Sequence, residues 1–385
     1  MVRVIETTEQ LTEFCKSLQK SKYIAVDTEF LRERTYYPVL CLIQVATPTE
    51  SACIDVLSGL DIKPFLDVLE NPNVLKIFHS CRQDIEIFYD LTGKVPTPLF
   101  DTQIGAMVCG LGENVSYHNL VEHFLKIDID KASRITDWSK RPLTSEQLEY
   151  AAYDVIYLIQ VYPKMLDLLK TTKRSSWVKE EMKSLENPNL YFTDSKDAWL
   201  RVKPLSTKPT YLATLKALCA WREEKAKVLN RPRRFILKDE IILQLAAISP
   251  EKLEDFDRLR HNDSFKNVWK NEIIASIKKE LDDNDFPVWS KPVGVPPHLQ
   301  GLQSVLKLLL DVVCAEAKVA PKLVASIDDI NKLIVDSKAD IPALNGWRKE
   351  IFGQKAIDFK AGKIALTFNP KTQNAEWIVI DKNFK

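Results

Sequence analysis

YIAVDTEF, residues 23–30, decides how this chain folds. The run is short, β-branched and apolar at first, so it reads as a buried strand. Side chains two apart on a strand share a face. Asp27 and Glu29 therefore project together from its end, while Ile24 and Val26 belong to the strand core. Two further blocks place acids on apolar elements. IFHSCRQDIEIF (77–88) follows the strand VLKIFH (74–79) into a helix and sets Asp84 in the first turn, where the helix dipole favours an acid. LEYAAYDVIYL (148–158) is helical, and Tyr150 and Asp154, four apart, lie on one face. Asp154 interrupts an apolar run, and an ionised carboxylate there is costly unless paired or bound to a metal.

Four carboxylates converging on one pocket repel unless cations sit between them. Asp27, Glu29, Asp84 and Asp154 thus form a candidate oxygen-only site suited to two hard divalent ions and a phosphodiester. His79 reads as a structural histidine. Tyr153 and Tyr157 read as packing aromatics.

The 385 residues are 45% hydrophobic, enough for two or three packed domains. No run of 18 uncharged apolar residues exists, and the N-terminal stretch MVRVIETTEQLTEF has charges and no apolar h-region, so neither a membrane span nor a signal peptide is expected. Seven cysteines without a CxxC pair point to reduced thiols, a cytoplasmic location and no zinc site. The net charge of +1 hides an asymmetry: residues 1–195 carry −7 and residues 196–385 carry +8. Eleven Lys/Arg against four Asp/Glu lie at 201–240, a stretch that can neutralise phosphates or form a solvated helical face.

Residues 1–60 read as an antiparallel meander of YIAVDTEF, VLCLIQVA (39–46) and SACIDVL (51–57). An α/β pattern follows, with helices near 62–70, 82–91, 102–110 and 116–125, a short strand near PLFDT, and one long helix from Thr144 to Leu169 capped by Thr144. ENPNLYFTDS (186–195) reads as a linker, as does the Pro-rich stretch 282–300. Between and after them the chain is helical, with Leu212, Leu215, Leu218 and Trp221 at helical spacing, until a hairpin around NPKTQN (369–374).

The order DxE, then D, then YxxxD, each on its expected element, resembles the DEDD exonuclease superfamily in its tyrosine branch, DEDDy. VDTEFLRERTYYPVLCLIQV, FDTQIGA, DKASRITDWSKRPLTSEQLEYAAYDVIYL and LKALCAWREEKA are similar to text of the ribonuclease D family, in the same order. In the histidine branch a His stands five residues before the last Asp; here that position is Glu149. The resemblance implies an α/β ribonuclease-H-like exonuclease domain, a mixed sheet flanked by helices, at 1–190. Two all-α HRDC-like helical domains would follow, at 205–285 and at 300–385, the second with the hairpin-like tail.

It further implies a 3′-to-5′ exoribonuclease that releases nucleoside 5′-monophosphates and trims tRNA precursors and other structured RNAs. Asp27, Glu29, Asp84 and Asp154 would hold two Mg²⁺ or Mn²⁺ ions, and Tyr150 would orient the attacking water. Substrate contacts are expected from Arg32, Arg34, Tyr36 and Tyr37, from Lys131, Arg134 and Arg141, and from Lys225, Lys227, Arg231, Arg233 and Arg234. Asp101 and Asp137 are expected to position helices or neighbours, and Trp221 to be core. The protein is expected to be a monomer without membrane contact. Two readings stand beside this one: a DNA 3′-exonuclease, since recognition of a 2′-OH is not visible in one sequence, and a non-catalytic nucleic-acid-binding module.

Overall fold

A computed structural model describes residues 2–129, 136–259, 267–283, 286–289 and 294–380. The first half is built on six strands: β1 (Val4–Ile5), β2 (Tyr23–Leu31), β3 (Val39–Ala46), β4 (Ser51–Asp55), β5 (Leu75–Phe78) and β6 (Leu99–Asp101). Their order across the sheet is β1-β4-β3-β2-β5-β6. The meander expected from the sequence is β2-β3-β4, antiparallel throughout. β5 and β6 then add in parallel beside β2, and β1 adds in parallel at the far edge. The sheet is therefore mixed, with helices over both faces. Its core gathers Ile24, Val26, Ile43, Val45, Phe78 and Phe88, all fully buried.

β2 pairs with β5 only from Tyr23 to Ala25, although its pairing with β3 runs on to Leu31. Beyond Ala25 the two parallel neighbours part, and a crevice opens at their C-terminal ends, where ligands of open α/β sheets bind. The register shifts between Glu29 and Phe30, which face Leu42 and Leu40, so β3 carries one extra residue, Cys41, opposite the step just past the two acids.

The single long helix expected from Thr144 is two, Ser145–Ile156 and Leu158–Thr171. Thr144 caps the first as expected, in a reciprocal capping box with Gln147. The interruption has an identifiable cause. The Tyr117 hydroxyl donates to Tyr153 O (2.8 Å) and accepts from the backbone N–H of Leu158, so a side chain is inserted into the helix ladder. Sequence reading also missed the helix Thr8–Leu18, the helix Ser175–Leu185 and the 3-10 turn Ser195–Arg201.

Two helical units with separate apolar cores follow. Their layouts repeat. A long helix (Pro209–Val228; Gln300–Ala317) leads to a one-turn helix (Arg233–Ile236; Pro321–Val324) and then a medium helix (Asp239–Ile248; Ile327–Val335). Trp221 packs edge-on against Trp269 and donates its N–H to Glu272 (3.0 Å), a structural place as expected. The tail is the hairpin β7 (Ile364–Asn369) and β8 (Asn374–Val379).

Both units are fastened to the first half. Tyr36 reaches the first unit: its hydroxyl bonds Glu223, and Asn230 Oδ1 accepts from the backbone of Tyr36 and Tyr37 (3.1 Å each). The second unit is clamped by two arginines. Arg174 donates to Val108 O (2.7 Å) and to the carbonyls of Ala317 and Lys318, and Arg348 donates to Leu323 O (2.7 Å), Glu180 and Glu181. Trp177 and Trp347 stack between them with centroids 4.5 Å apart. At Gly110 (φ +76°) an added Cβ would lie 2.2 Å from Lys318 O, so only glycine allows this approach.

Candidate active site

Three elements meet at the crevice. β2 supplies Asp27 and Glu29, the helix Arg82–Thr92 supplies Asp84, and the helix Ser145–Ile156, packed against β2, β3 and β4, supplies Tyr150 and Asp154. One oxygen from each of Asp27, Glu29 and Asp154 lies within 4.8 Å of the others. The surrounding cleft, about 510 Å³, is lined by these acids, by Tyr150 and by His79 and Tyr117.

Asp84 stands one step back from this trio. Its carboxylate is buried and accepts a hydrogen bond from the Thr28 hydroxyl, the residue between the two β2 acids. It is close enough that its charge acts on Glu29 and that Asp27 acts on it. The four acids thus gather as three facing the cleft and one engaged behind them.

The electrostatics follow from crowding in a dry place. Burial, then Asp27, Asp154 and Asp84, push the Glu29 carboxyl up to about 9. Burial and Asp154 raise Asp27 well above the usual carboxylate range, against the pull of the Thr28 backbone N–H. Burial and Asp27 do the same to Asp84. Such a set, all oxygen and with Asp27, Glu29 and Asp84 reluctant to ionise alone, is what a hard divalent cation relieves. The donor set fits Mg²⁺ or Mn²⁺ and contains no soft ligand.

Supporting residues hold the crevice open. Asp101 accepts from the backbone of Ser80 (3.1 Å), Cys81 (2.9 Å) and Gln103 (2.8 Å), fixing the turn that launches the helix of Asp84. Ser80 takes a left-handed conformation there (φ +62°). Asp137 accepts from Ser139 N and Oγ. Both aspartates therefore play the local roles expected of them. His79 is tethered at 3.0 Å to Thr102 and held below its ordinary value by burial. Gln103, Ser116 and His118 also line the cleft. Gln103 lies in the first turn of the helix Thr102–Val108, within the segment FDTQIGA but not singled out there, and Ser116 caps and His118 opens the helix Tyr117–Leu125, where no motif marks them.

The residues expected to touch substrate divide. Lys131 and Arg134 lie outside the described residues. Arg141 is a correction. Its guanidinium bonds Asp55 twice (2.6 Å each) and the carbonyls of Cys41, Trp138 and Lys140, so its donors are spent inside the protein. Tyr36 and Arg233 are likewise engaged. Arg233 bonds Glu223 and lies over the Tyr36 ring at 5.1 Å, fixing the first helical unit to the sheet. Arg32 pairs with Glu86, Lys225 with Glu272 at 2.8 Å, and Lys227 bonds Ser195 at 3.0 Å. Arg34, Arg231 and Tyr37 are exposed, and Arg234 is exposed over the Phe235 ring.

A mixed sheet with clustered acids at its strand ends, joined to two helical units, defines a 3′-5′ exonuclease with a helical C-terminal half. Residues 2–170 match the 3′-5′ exonuclease family and residues 212–264 match the HRDC domain family. Ribonuclease D of Sphingobium indicum is 42% identical over 94% of this chain and 95% of its own length. Ribonuclease D of Granulibacter bethesdensis is 42% identical over 96% and 95%. The crystal structure of Escherichia coli RNase D, described as an exoribonuclease involved in structured RNA processing, superposes with a TM-score of 0.79 at 27% identity, covering 94% of this chain and 99% of that one. The chain belongs to the ribonuclease D family and is a 3′-5′ exoribonuclease. Among the described residues no helix is long and apolar enough to cross a membrane.

Proposed function

We propose that this exoribonuclease cuts by a two-metal mechanism in the carboxylate cleft, releases nucleoside 5′-monophosphates, and matures the 3′ ends of stable RNAs, tRNA precursors foremost. The observation that carries the reading is the meeting of Asp27, Glu29 and Asp154 oxygens within 4.8 Å, with Asp84 behind them. Asp27, Glu29, Asp84 and Asp154 would hold two Mg²⁺ or Mn²⁺ ions. When bound, such ions neutralise the phosphodiester, acidify a water and stabilise the leaving oxygen. Tyr150 donates a hydrogen bond that orients the attacking water. It is not the proton sink, since a phenol titrates near ~10. His79 and Tyr117 wall the cleft and limit the water that reaches the reacting phosphate.

The name and description of the E. coli relative support structured RNA as the substrate class. The basic excess at 201–240 supports a phosphate-binding role for the first helical unit, with exposed Arg231 and Arg234 as its contacts and Arg34 and Tyr37 as contacts beside the cleft. Seven free cysteines support a reducing, cytoplasmic setting.

The deciding assay uses 5′-labelled tRNA of mature length and with a 3′ extension, in Mg²⁺ and in EDTA, beside matched DNA. Stepwise shortening of the extension, halted at the mature end and abolished by EDTA, is expected. Binding without shortening would favour the non-catalytic module, and DNA shortened as fast as RNA would favour the DNA enzyme.

A further inference from the structure

A second cleft of about 510 Å³ lies at the junction of the sheet and the first helical unit. Five cations line it, Arg32, Arg82, Arg201, Lys227 and Arg233, against two acids, Glu86 and Asp90. Several of these charges are already balanced. Arg32 answers Glu86, Arg233 answers the buried Glu223, and Lys227 lies 3.5 Å from Glu224. Arg82 makes no hydrogen bond or ion pair with its side chain among the described residues, and Arg201 is exposed with a hydrogen bond only to the Thr193 hydroxyl. The rim adds exposed aromatic rings: Phe192 is half exposed with Lys227 over its face at 5.3 Å, and Tyr37 is 37% exposed.

This cleft is coupled to the carboxylate cleft by shared elements. The helix that carries Asp84 turns Gln83, Glu86 and Asp90 toward the junction. Arg32 follows Glu29 by three residues, roughly 10 Å of extended chain. A strand whose 3′ end occupies the carboxylates would reach the junction within a few nucleotides.

We propose that the junction cleft binds an unpaired RNA segment upstream of the 3′ end being trimmed, with Arg82 and Arg201 on its phosphates and Phe192 and Tyr37 against its bases. The proposal rests on the reading of the carboxylate cleft as the place of cutting. Cations alone would fit any polyanion. Unspent guanidinium groups beside exposed rings fit a flexible strand, whose bases each present a π face.

The test compares wild type with Arg201→Glu/Phe192→Ala, two exposed positions outside the carboxylate cleft. Binding of labelled oligonucleotides from tetramer to dodecamer is measured by anisotropy in EDTA, and their shortening in Mg²⁺. Wild type should bind longer oligomers about tenfold or more tightly than the tetramer, as stacking of one or two bases provides. The double variant should bind every length as weakly as the tetramer, yet shorten the tetramer at the wild-type rate. The salt slope on the dodecamer should fall by at least about 0.7. A variant that keeps the wild-type length dependence, a wild type without one, or equal losses on short and long substrates would overturn the proposal. Length-dependent binding lost in the variant, without any shortening by wild type in Mg²⁺, would overturn the reading of the carboxylate cleft and support the junction as an RNA site.

Discussion

Replacing Glu29 by Gln should stabilise the metal-free protein at pH 8 while destroying its response to divalent ions. The Glu29 carboxyl titrates at about 9 in the folded state against an ordinary 4.5. Between those values the unfolded chain has released its proton and the folded chain has kept it. Folding stability from this group therefore falls as pH rises from 4.5 to 9. At 1.36 kcal/mol per pH unit, the cost is below about 1 kcal/mol at pH 5 and at most about 5 kcal/mol at pH 8. The crevice admits water, so roughly half of that ceiling, ~2–3 kcal/mol, is the expected difference at pH 8. Gln keeps the shape and cannot ionise, so this pH-dependent cost is absent from the variant.

Urea unfolding in EDTA at pH 5, 6.5 and 8 measures this. The two proteins should share a midpoint near pH 5. By pH 8 the wild type should unfold ~0.7 M earlier in urea, taking an m-value near ~3 kcal/mol/M. Saturating Mg²⁺ should raise the wild-type midpoint at pH 8 and move the variant far less, since ligand binding to the native state adds stability only where the site survives. Equal midpoints at every pH, or a variant weaker at pH 8, would refute the account of crowded carboxylates and remove the reason for placing cations there.

Three other outcomes are expected. Asp27→Asn or Asp154→Asn should lower shortening of labelled RNA by about 10³-fold or more, with binding in EDTA retained, because a charge-neutralising ligand is lost without a change of shape. Lys76, fully buried on β5, donates to the carbonyls of Asn71 (3.0 Å) and Thr97 (2.6 Å), and burial lowers its ammonium to about 7. Its folded value lies below the unfolded one of 10.5, so its burial cost is complete below pH 7 and fades as pH rises; relative to Lys76→Met, wild type should gain ~2 kcal/mol between pH 7 and 10 in urea unfolding. Arg348→Ala strands buried Glu181 without its partner, at about 3–5 kcal/mol, so the C-terminal unit should loosen first, seen as a separate early urea transition and faster proteolysis after residue 294.

The parts of this site that could be read in sequence are those fixed by local periodicity. Asp27 and Glu29 share a face because a strand alternates, and Tyr150 and Asp154 share one because a helix repeats. Each follows from one short block. What the sequence could not show depends on partners distant in the chain. Nothing near Arg141 announces that Asp55, 86 residues earlier, will take its guanidinium, so a phosphate contact was the natural expectation. Tyr36 and Arg233 looked like two separate RNA contacts and are instead joined through Glu223. The break after Ile156 is invisible for the same reason, since the hydroxyl that causes it comes from Tyr117, 36 residues before the carbonyl it meets. That break falls two residues past Asp154. A side chain of the cleft wall thus sets where the helix bearing Asp154 ends, and burial, with Asp154 and Asp27 adding to it, holds the Tyr117 phenol protonated. Wall and acids are one mechanical unit, which is why the cluster depends on residues around 117 that carry no motif.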